Sequence, residues 1–566
     1  MDNNKKAFDE ALASLTAKDQ PFEIVQRTIA DVNYKVYQNA PTTLREVYLR
    51  ALQHGDKECL IYQDERWTFS QLLQQAWSLA AALASEHQIS SGDRVGIAMR
   101  NYPEWLTSFI AVTSMGAVAV PINSWGKAHD LLFAVRDSEC KTVFCDQQRF
   151  DQMSDGLKES GIKAVVARAE KGINPTDGAT LEEFIAGKEN VSPPSASLDG
   201  EDDVMIMYTS GTTGKPKGAV STHRAICQAI MNFDCTAAAC GMSNPELIGQ
   251  MLKKGFEPVQ MLAVPLFHVS GLHAIFLTAL RAGRKIVMMY KWNAENALQL
   301  IEKERVTVLS AAPSMLLQLL ESPDFDRYDT SSISSLGGGG SATPARVAQL
   351  MNEKVESLYP GTGWGMTETN SIGTAFTGDA FIKNPGSAGF CHATVETKVC
   401  DDEGKELPAG QAGRIWVKTP TMVSEYWNRP DANAESFDNG WFDSEDIGYF
   451  NEHGYLFLSD RAKDMIIRGG ENIYPAEIEA ALAEHPGVQE VAAFGLPDDK
   501  LGEQVACAVV PAAAAVLSGA DITAFAKQQL AAFKVPTRVV IMQQPLPRNA
   551  SGKVLKNILR DNAQVD

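Results

Sequence analysis

The 566-residue sequence has few cysteines, too little positive charge to offset its acids and no long uninterrupted apolar run. Its nine cysteines include no CxxC pair, a pattern typical of free thiols in a reducing compartment and not of a disulfide framework. Lys+Arg total 51 against Asp+Glu 70, so the formal net charge is −19. This balance argues against a nucleic-acid binder, whose phosphate contacts need a basic face, but not against a small anionic ligand.

Membrane and export signals are also missing. The N-terminus lacks the continuous apolar core and cleavage signature of a secretory signal. Two apolar stretches, Trp105 to Ile122 and Met261 to Leu280, are long enough to consider as spans, but Gly and Pro interrupt both. Each is predicted to be a buried helix joined to a buried strand. The sequence therefore predicts a cytoplasmic protein without a transmembrane segment, and it leaves peripheral membrane contact and a homodimer open.

Strand and helix patterns divide the chain into three parts. Residues 1–42 are a mixed, polar N-terminal extension with a helical pattern. Residues 43–460 are predicted to form a large α/β domain, because short β-rich runs alternate there with helical segments, as in doubly wound parallel sheets. Within it, closely spaced strands at about 388–460 predict a small antiparallel β-barrel or sheet. Residues 461–566 alternate differently and predict a small α+β C-terminal domain.

The strongest local signal is the segment YTSGTTGKPKG (208–218), which directly follows the apolar strand VMIMY. Glycines permit a tight turn, hydroxyls and lysines supply donors and charge, and consecutive backbone amides form an anion-binding concavity. The nucleotide-hydrolase pattern G-x-x-x-x-G-K-[ST] is absent. A plain surface turn is disfavoured, because it does not require three hydroxyls and two lysines together. The candidate phosphate-binding residues are Ser210, Gly211, Thr212, Thr213, Gly214, Lys215 and Lys217.

This loop resembles the signature of the adenylate-forming superfamily, which includes acyl-CoA synthetases, nonribosomal peptide adenylation domains and firefly luciferases. Further segments resemble the other motifs of that family in their expected order from about Thr43 to the end of the chain. They are PLFHVSG (265–271), GGGGSATP (337–344), GWGMTE (363–368), WFDSEDIG (441–448), DRAKD (460–464), GGENIYPAEIE (469–479) and PRNASGK (547–553).

The resemblance implies a two-step enzyme that uses ATP, Mg²⁺ and coenzyme A. A carboxylate attacks the α-phosphorus of ATP to give an acyl-adenylate and pyrophosphate, and the thiol of coenzyme A then displaces AMP. By resemblance, Lys553 reaches the carboxylate and α-phosphate, and Thr209 and Glu368 also serve catalysis. The carboxylate of Glu368 is a hard oxygen ligand suited to Mg²⁺. His268 is assigned to contact the acyl group or to gate access of the thiol, with a buried structural histidine as the alternative.

The remaining binding residues are likewise assigned by resemblance. Trp364 is expected to stack on adenine, although relatives usually carry Tyr there. Asp446 and Arg461 are expected to bind the ribose hydroxyls, although Ser444 and Glu445 replace the commoner Thr-Gly before Asp446. The C-terminal AMP-binding domain is expected to be mobile, turning at Lys463. The other nucleotide and pantetheine contacts are assigned to Gly339, Gly340, Ser341, Gly365, Met366, Thr367, Gly469 and Gly470.

The acyl substrate is predicted from the apolar stretch between Cys227 and Gln260. Its only acid between Ser221 and Asn244 is Asp234, which argues against an ammonium-bearing substrate. A medium- to long-chain fatty acid is expected, with an aryl or bulky alicyclic acid as the alternative. The chain ends thirteen residues after Lys553 (566 − 553), so no carrier domain is expected and a stand-alone acyl-CoA ligase is favoured. The alternative outside the enzymes is a nucleotide-binding protein that has kept the fold but lost catalytic activity.

Overall fold

The computed structural model describes residues 2–170, 172–174, 176–209, 216–339, 345–355, 358–461, 464–468, 471–498, 500–512, 515–549 and 552–565. The chain divides into two compact units. The first comprises Met1–Pro385, Cys391–Glu396 and Lys418–Trp441. The second comprises Gly386–Phe390, Thr397–Val417 and Phe442–Asp566.

One sheet of the first unit is parallel through its centre and antiparallel at one edge. Its strands are rich in Val, Ile and Ala and are buried along most of their length, as expected where helices cover both faces. The strand order across this sheet is Glu425–Tyr426, Lys217–Thr222, Asp203–Thr209, Val118–Pro121, Arg94–Ala98, Thr142–Asp146, Lys163–Ala167 and Gly178–Thr180.

A second sheet of the first unit is also parallel inside, with an antiparallel strand pair at each end. Its order is Thr374–Thr377, Gly361–Trp364, Ser335–Gly338, Val308–Ala311, Val259–Leu262, Lys285–Met288, Glu58–Tyr62 and Glu65–Thr68. Short strands also occur at Phe390–Cys391 and Phe437–Asp438.

Helices connect the parallel strands, and local sequence signals mark where they begin. Thr68 caps the helix Phe69–Glu86 through a reciprocal arrangement with Gln71, and Pro103 is the first residue of the helix Pro103–Ser114. The other α-helices of this unit are Asn3–Thr16, Leu44–Ala51, Ala128–Asp137, Gln147–Glu159, Leu181–Ile185, His223–Ser243, Pro245–Lys253, Val269–Gly271, Thr278–Ala282, Ala294–Glu304, Pro313–Leu320, Ala345–Lys354, Asp379–Lys383 and Pro430–Ser436. A π-helical turn spans Leu272–Leu277, and 3₁₀ turns span Leu52–His54, Phe325–Arg327 and Thr367–Thr369.

The N-terminal extension packs as part of the first unit. After the helix Asn3–Thr16 it forms a hairpin of Ile24–Ile29 and Val32–Tyr37. The backbone of Tyr37 exchanges two hydrogen bonds with the Gln228 side chain. The Tyr37 hydroxyl lies 3.0 Å from Oδ1 of Asn232. Both partners belong to the helix His223–Ser243, so the extension is tied to the long helix by specific hydrogen bonds.

The second unit contains two sheets. The first is antiparallel and includes Glu396–Cys400, Gly413–Lys418, Trp441–Phe450 and Leu456–Arg461. The second runs Glu471–Ile473, Ile466–Arg468, Gly502–Pro511 and Val488–Asp498, with Arg538–Ile541 parallel to Gly502–Pro511. The helices of this unit are Pro475–Ala483, Gly519–Gln529 and Lys556–Val565, with a 3₁₀ turn at Ala532–Lys534.

The structure confirms the predicted mixed α/β class, with a larger N-terminal and a smaller C-terminal part. The two apolar stretches are confirmed as helix–strand pairs of the parallel sheets. Among the described residues, no helix combines the length and apolarity that a bilayer crossing requires. All nine cysteines lie in the described part of the chain as free thiols. The domain boundary at residue 460 and the hinge at Lys463 stay predictions.

Candidate active site

The predicted phosphate loop joins two neighbouring antiparallel strands. Thr209 ends the strand Asp203–Thr209, and Lys217 begins the strand Lys217–Thr222 directly opposite it. The Thr209 hydroxyl donates to the backbone oxygen of Lys217 at 3.4 Å. The predicted residues Ser210, Gly211, Thr212, Thr213, Gly214 and Lys215 lie outside the described residues. The structure therefore brings Thr209 and Lys217 together at the base of this loop.

Glu368 lies on the 3₁₀ turn Thr367–Thr369 and is oriented by a tyrosine. The Tyr426 hydroxyl donates to Oε1 of Glu368 at 2.8 Å, and the amide of Val423 donates to the Glu368 backbone oxygen at 2.9 Å. Nζ of Lys217 lies 4.3 Å from the centroid of the Tyr426 ring. Among the described residues, Tyr426 is the one hydrogen-bond donor to this carboxylate. The Lys217 ammonium group, the Tyr426 ring and the Glu368 carboxylate therefore lie in contact one after the other.

Tyr208, the residue before Thr209, is fixed by a partly buried carboxylate. Its hydroxyl donates to Oδ2 of Asp137 at 2.7 Å, and Arg429 donates to Oδ1 of the same group at 2.6 Å. The Trp427 indole donates to the Asp137 backbone oxygen at 3.0 Å. Burial, followed by the hydrogen bond to Asp137 and the negative charge of that group, raises the pKa of Tyr208, so its hydroxyl stays protonated and keeps donating.

The predicted adenine motif is a strand followed by a tight turn. Trp364 ends the strand Gly361–Trp364 and is 8% exposed, so it is largely buried. Gly373 lies so close that a Cβ there would approach Cε3 of the Trp364 ring to 2.7 Å. Only glycine permits this contact without displacement of the indole. Gly365, Met366 and Thr367 follow in the same turn, next to Glu368.

The predicted loop on the adenine side begins at the end of a parallel strand. Gly339 follows Ser335–Gly338, and its amide donates to the Ala311 backbone oxygen at 3.2 Å. Gly340 and Ser341 lie outside the described residues.

His268 precedes the helical turn Val269–Gly271. Its ring packs on Phe267 with centroids 4.7 Å apart, and no described group hydrogen-bonds to its shielded Nε2 atom. Burial lowers the pKa of His268 to about 4, so the imidazole is neutral at neutral pH. The His268 ring can therefore contact a neighbouring group through its surface or through a neutral nitrogen, but it does not supply a positive charge.

In the second unit, the two predicted ribose residues meet across a strand pair. Asp446 and Arg461 are direct partners of the antiparallel strands Trp441–Phe450 and Leu456–Arg461. The Asp446 amide donates to the Ser444 hydroxyl at 3.1 Å, and that hydroxyl donates to the Ile415 backbone oxygen at 2.6 Å. Glu445 between them has φ of 57°, in the left-handed region. The departure from Thr-Gly is thus accommodated by a serine bridge and a left-handed turn.

Lys553 lies at the end of a tight turn in the second unit. Its amide donates to Oδ1 of Asn549 at 2.9 Å, and its carbonyl accepts from the Asn549 amide at 2.8 Å. The predicted residues Lys463, Gly469 and Gly470 lie outside the described residues.

Sequence reasoning missed the supporting residues Tyr426 and Asp137. Tyr426 lies in the segment SEYWNRP, where two adjacent aromatic residues precede Asn and Pro. This aromatic pair was the only local feature that could have drawn attention to Tyr426. Asp137 is the last residue of the helix Ala128–Asp137, where a carboxylate is not favoured by the helix dipole. That unfavourable placement is itself a signal that the carboxylate has another partner.

Comparison with known proteins shows which families and relatives this chain is similar to. The family described as AMP-binding enzyme matches residues 48–427, and the AMP-binding enzyme C-terminal domain matches residues 477–553. The long-chain-fatty-acid–CoA ligase FadD13 of Mycobacterium tuberculosis is 33% identical over 500 residues, covering 88% of this chain and 93% of the relative. A 2-succinylbenzoate–CoA ligase of Bacillus cereus is 32% identical over 517 residues, covering 90% and 97%.

A solved structure extends this likeness to the fold. The crystal structure of the anthranilate CoA ligase AuaEII in complex with anthranoyl-AMP superposes with a TM-score of 0.80 at 26% identity. The match covers 92% of this chain and 97% of that chain.

Proposed function

Because the chain belongs to the AMP-binding enzyme family and is an AMP-forming acid–CoA ligase, we propose that it activates a medium- to long-chain fatty acid. We also propose that the residues assigned above by resemblance carry out the reaction. The observation that supports the site most directly is Glu368, held by the Tyr426 hydroxyl beside Lys217 at the base of the phosphate loop.

The ligase reaction uses ATP, Mg²⁺ and coenzyme A and proceeds in two half-reactions. A carboxylate oxygen of the acid attacks the α-phosphorus of ATP, the bond to the bridging oxygen breaks, and pyrophosphate leaves. The sulfur of coenzyme A then attacks the acyl carbonyl, its proton is lost, and AMP leaves. Both reactants of the first step are anionic, so the protein mainly has to position them and neutralise charge.

The Glu368 carboxylate fits a divalent cation. Tyr426 fixes one of its oxygens at 2.8 Å, and no described residue hydrogen-bonds to the other, which is a hard oxygen ligand of the kind that Mg²⁺ prefers. When bound, the cation neutralises phosphate charge. Lys217 is proposed to add positive charge beside Glu368, and the Thr209 hydroxyl lies next to the Lys217 backbone, to which it donates a hydrogen bond.

The nucleotide and the acyl group are proposed to contact different residues. Trp364 would stack on adenine, and the Asp446 carboxylate, with Arg461 as its cross-strand partner, would accept hydrogen bonds from the ribose hydroxyls.

His268, neutral and packed on Phe267, would contact the acyl chain or gate access of the thiol. Lys553 would place its ammonium group between the attacking carboxylate and the α-phosphate, for which a compact charge on a long stem is suited.

The pairing of Asp234 supports an acid without an ammonium group. Asp234 forms an ion pair with Arg281, so this carboxylate is already neutralised. On the same helix, Met231 and Cys235 pack against Tyr37 and the N-terminal extension. Part of the apolar stretch that suggested a fatty-acid pocket is therefore ordinary core, and the fatty-acid proposal rests more on the likeness to FadD13.

An aryl acid is the second candidate, favoured by the likeness to a 2-succinylbenzoate–CoA ligase and to the anthranilate ligase structure. A degenerate nucleotide-binding protein is not supported, because Lys553 and Glu368 are both present. A cytoplasmic location is proposed from the free cysteines, which fit a reducing compartment.

The test is AMP release with MgATP and coenzyme A across acetate, fatty acids of rising length, aryl acids and steroid-type acids. A maximum at medium or long chains supports the proposal, and a maximum at aryl acids replaces it with the second candidate. Lys553→Ala should lose acyl-adenylate formation but keep thioester formation from supplied acyl-adenylate. Equal loss of both steps would contradict the role of Lys553.

A further inference from the structure

The turn that carries Lys553 is a small hairpin with a fixed base. The Leu555 amide donates to the Pro547 backbone oxygen at 2.8 Å, and Arg548 and Val554 form a bridge between the two arms. Gly552 has φ of 85°, a left-handed conformation that favours glycine immediately before the lysine.

Apolar residues just before the hairpin and on its second arm join a core. Leu546, before the hairpin, and Val554, on its second arm, pack with residues of the strand Val488–Asp498 and the helix Lys556–Val565. The base is thus anchored by apolar contacts, whereas the residues nearest Lys553 depend on polar ones.

One arginine ties this turn to the neighbouring strand. Nη1 of Arg548 donates to the Gly552 backbone oxygen at 2.8 Å, and Nη2 donates to Oε2 of Glu490 at 2.8 Å. Glu490 lies on the strand Val488–Asp498, and its side chain is 18% exposed against 27% for Arg548. The planar guanidinium therefore spans a strand carboxylate and the peptide that immediately precedes Lys553.

We propose that Arg548 and Glu490 are positioning residues for Lys553, an inference that rests on the proposed catalytic role of that lysine. Lysine has a long flexible side chain, so the position of its ammonium group depends on where its backbone is held. The Glu490–Arg548–Gly552 chain holds the peptide before Lys553, in addition to the turn's own Asn549 contacts. Without it the ammonium group samples more positions, and acyl-adenylate formation slows more than ATP binding weakens.

The test separates the half-reactions in the full-length enzyme. In Arg548→Ala, we expect kcat for acid-dependent pyrophosphate exchange to fall by about tenfold to a hundredfold, because misplacement by about 1 Å costs that much. The KM for ATP should stay close to that of the wild type. Thioester formation from supplied acyl-adenylate should keep its wild-type rate, because Lys553 is not assigned to that step.

Three further variants distinguish positioning from a general loss of stability. Arg548→Lys retains the charge but loses the two-pronged geometry and should recover activity only in part. Glu490→Gln should reproduce the direction of the Arg548→Ala effect. Arg560→Ala is the matched control, because Nε of Arg560 donates to the Gly495 backbone oxygen at 3.0 Å, on the same strand that carries Glu490. It should leave both half-reactions unchanged.

Failure of this inference is distinguishable from failure of the assignment of Lys553. Loss of pyrophosphate exchange in Lys553→Ala, combined with a wild-type rate in Arg548→Ala, overturns the positioning role and leaves the catalytic one. Equal slowing of both half-reactions in Arg548→Ala also overturns it. Full exchange activity in Lys553→Ala overturns both.

Discussion

The hydroxyl of Tyr426 lies 2.8 Å from Oε1 of Glu368, and the same ring carries Nζ of Lys217 on its face at 4.3 Å from the centroid. One side chain thus orients the proposed metal ligand and supports the lysine at the end of the phosphate loop.

Removal of the Tyr426 hydroxyl should weaken the response to Mg²⁺. In Tyr426→Phe the ring persists, so Lys217 keeps its cation–π contact, but Glu368 loses its donor. We expect the Mg²⁺ concentration for half-maximal pyrophosphate exchange to rise by about tenfold, the equivalent of one hydrogen bond to a charged group.

A matched control for this variant is Tyr48→Phe. The Tyr48 hydroxyl lies 2.8 Å from the Thr113 hydroxyl in the core, and its removal should lower the free energy of unfolding by about 1 kcal/mol. The Mg²⁺ dependence should not change. A rise in the Mg²⁺ requirement in both variants would show that any lost tyrosine hydroxyl has this effect.

The contacts of Asp137 with Tyr208 and Arg429 can be tested by substitution. Asp137→Asn should weaken the contact with Arg429, because the negative charge is lost. It should also weaken the hydrogen bond from the Tyr208 hydroxyl, because an amide oxygen is a weaker acceptor than a carboxylate oxygen. We expect the free energy of unfolding to fall by about 1–3 kcal/mol, because Arg429 is left in a partly buried position without its charge partner. We also expect a higher KM for ATP, since Tyr208 is adjacent to Thr209.

The two effects can be measured by chemical denaturation and by initial rates at saturating acid. Stability loss with an unchanged KM for ATP would restrict Asp137 to a structural role.

The contact between Gly373 and Trp364 predicts sensitivity to a single methyl group. In Gly373→Ala the added Cβ would meet the Trp364 backbone oxygen at 2.5 Å and its ring at 2.7 Å, so the indole must shift. If Trp364 stacks on adenine, the KM for ATP should rise by about tenfold, within the range of one aromatic contact.

Gly249→Ala is the control for this substitution, because an added Cβ at Gly249 has no neighbour within 4 Å. It should leave the KM for ATP unchanged. An unchanged KM in Gly373→Ala would count against adenine stacking on Trp364.

Much of the fold could be predicted from the sequence, because it follows from local patterns, whereas most site residues are assigned by resemblance to a family and stay predictions. The apolar strand before Thr209 and the Gly and Asp turns after residue 388 depend on neighbouring residues alone. The contact from Tyr426 to Glu368 could not be predicted in this way, because it joins residues 58 positions apart. The same holds for Asp137 and Arg429, which are 292 positions apart.

The buried side chain of His392 predicts how the free energy of unfolding depends on pH. Burial lowers the pKa of His392 to about 4 in the folded state, against an ordinary value of 6.5. As pH falls from about 6.5 to about 4, the unfolded chain gains a proton there that the folded chain does not, so stability falls by up to about 1.4 kcal/mol per pH unit. Above pH 6.5 this contribution is complete and constant.

His392→Gln should therefore flatten the decline in the free energy of unfolding between pH 6.5 and 4, whatever it does to stability at pH 7. Denaturant titrations at several pH values measure this slope. A slope equal to that of the wild type would contradict the pKa shift.

The attachment of residues 1–42 to the helix His223–Ser243 bears on how the protein can be handled in the laboratory. Deletion up to Thr43, where the resemblance to the family begins, would uncover Met231 and Cys235 and leave Gln228 without its backbone partners at Tyr37. The exposed apolar patch would favour self-association, and Cys235 would become open to oxidation. A shortened enzyme would therefore lose solubility for a reason unrelated to its chemistry.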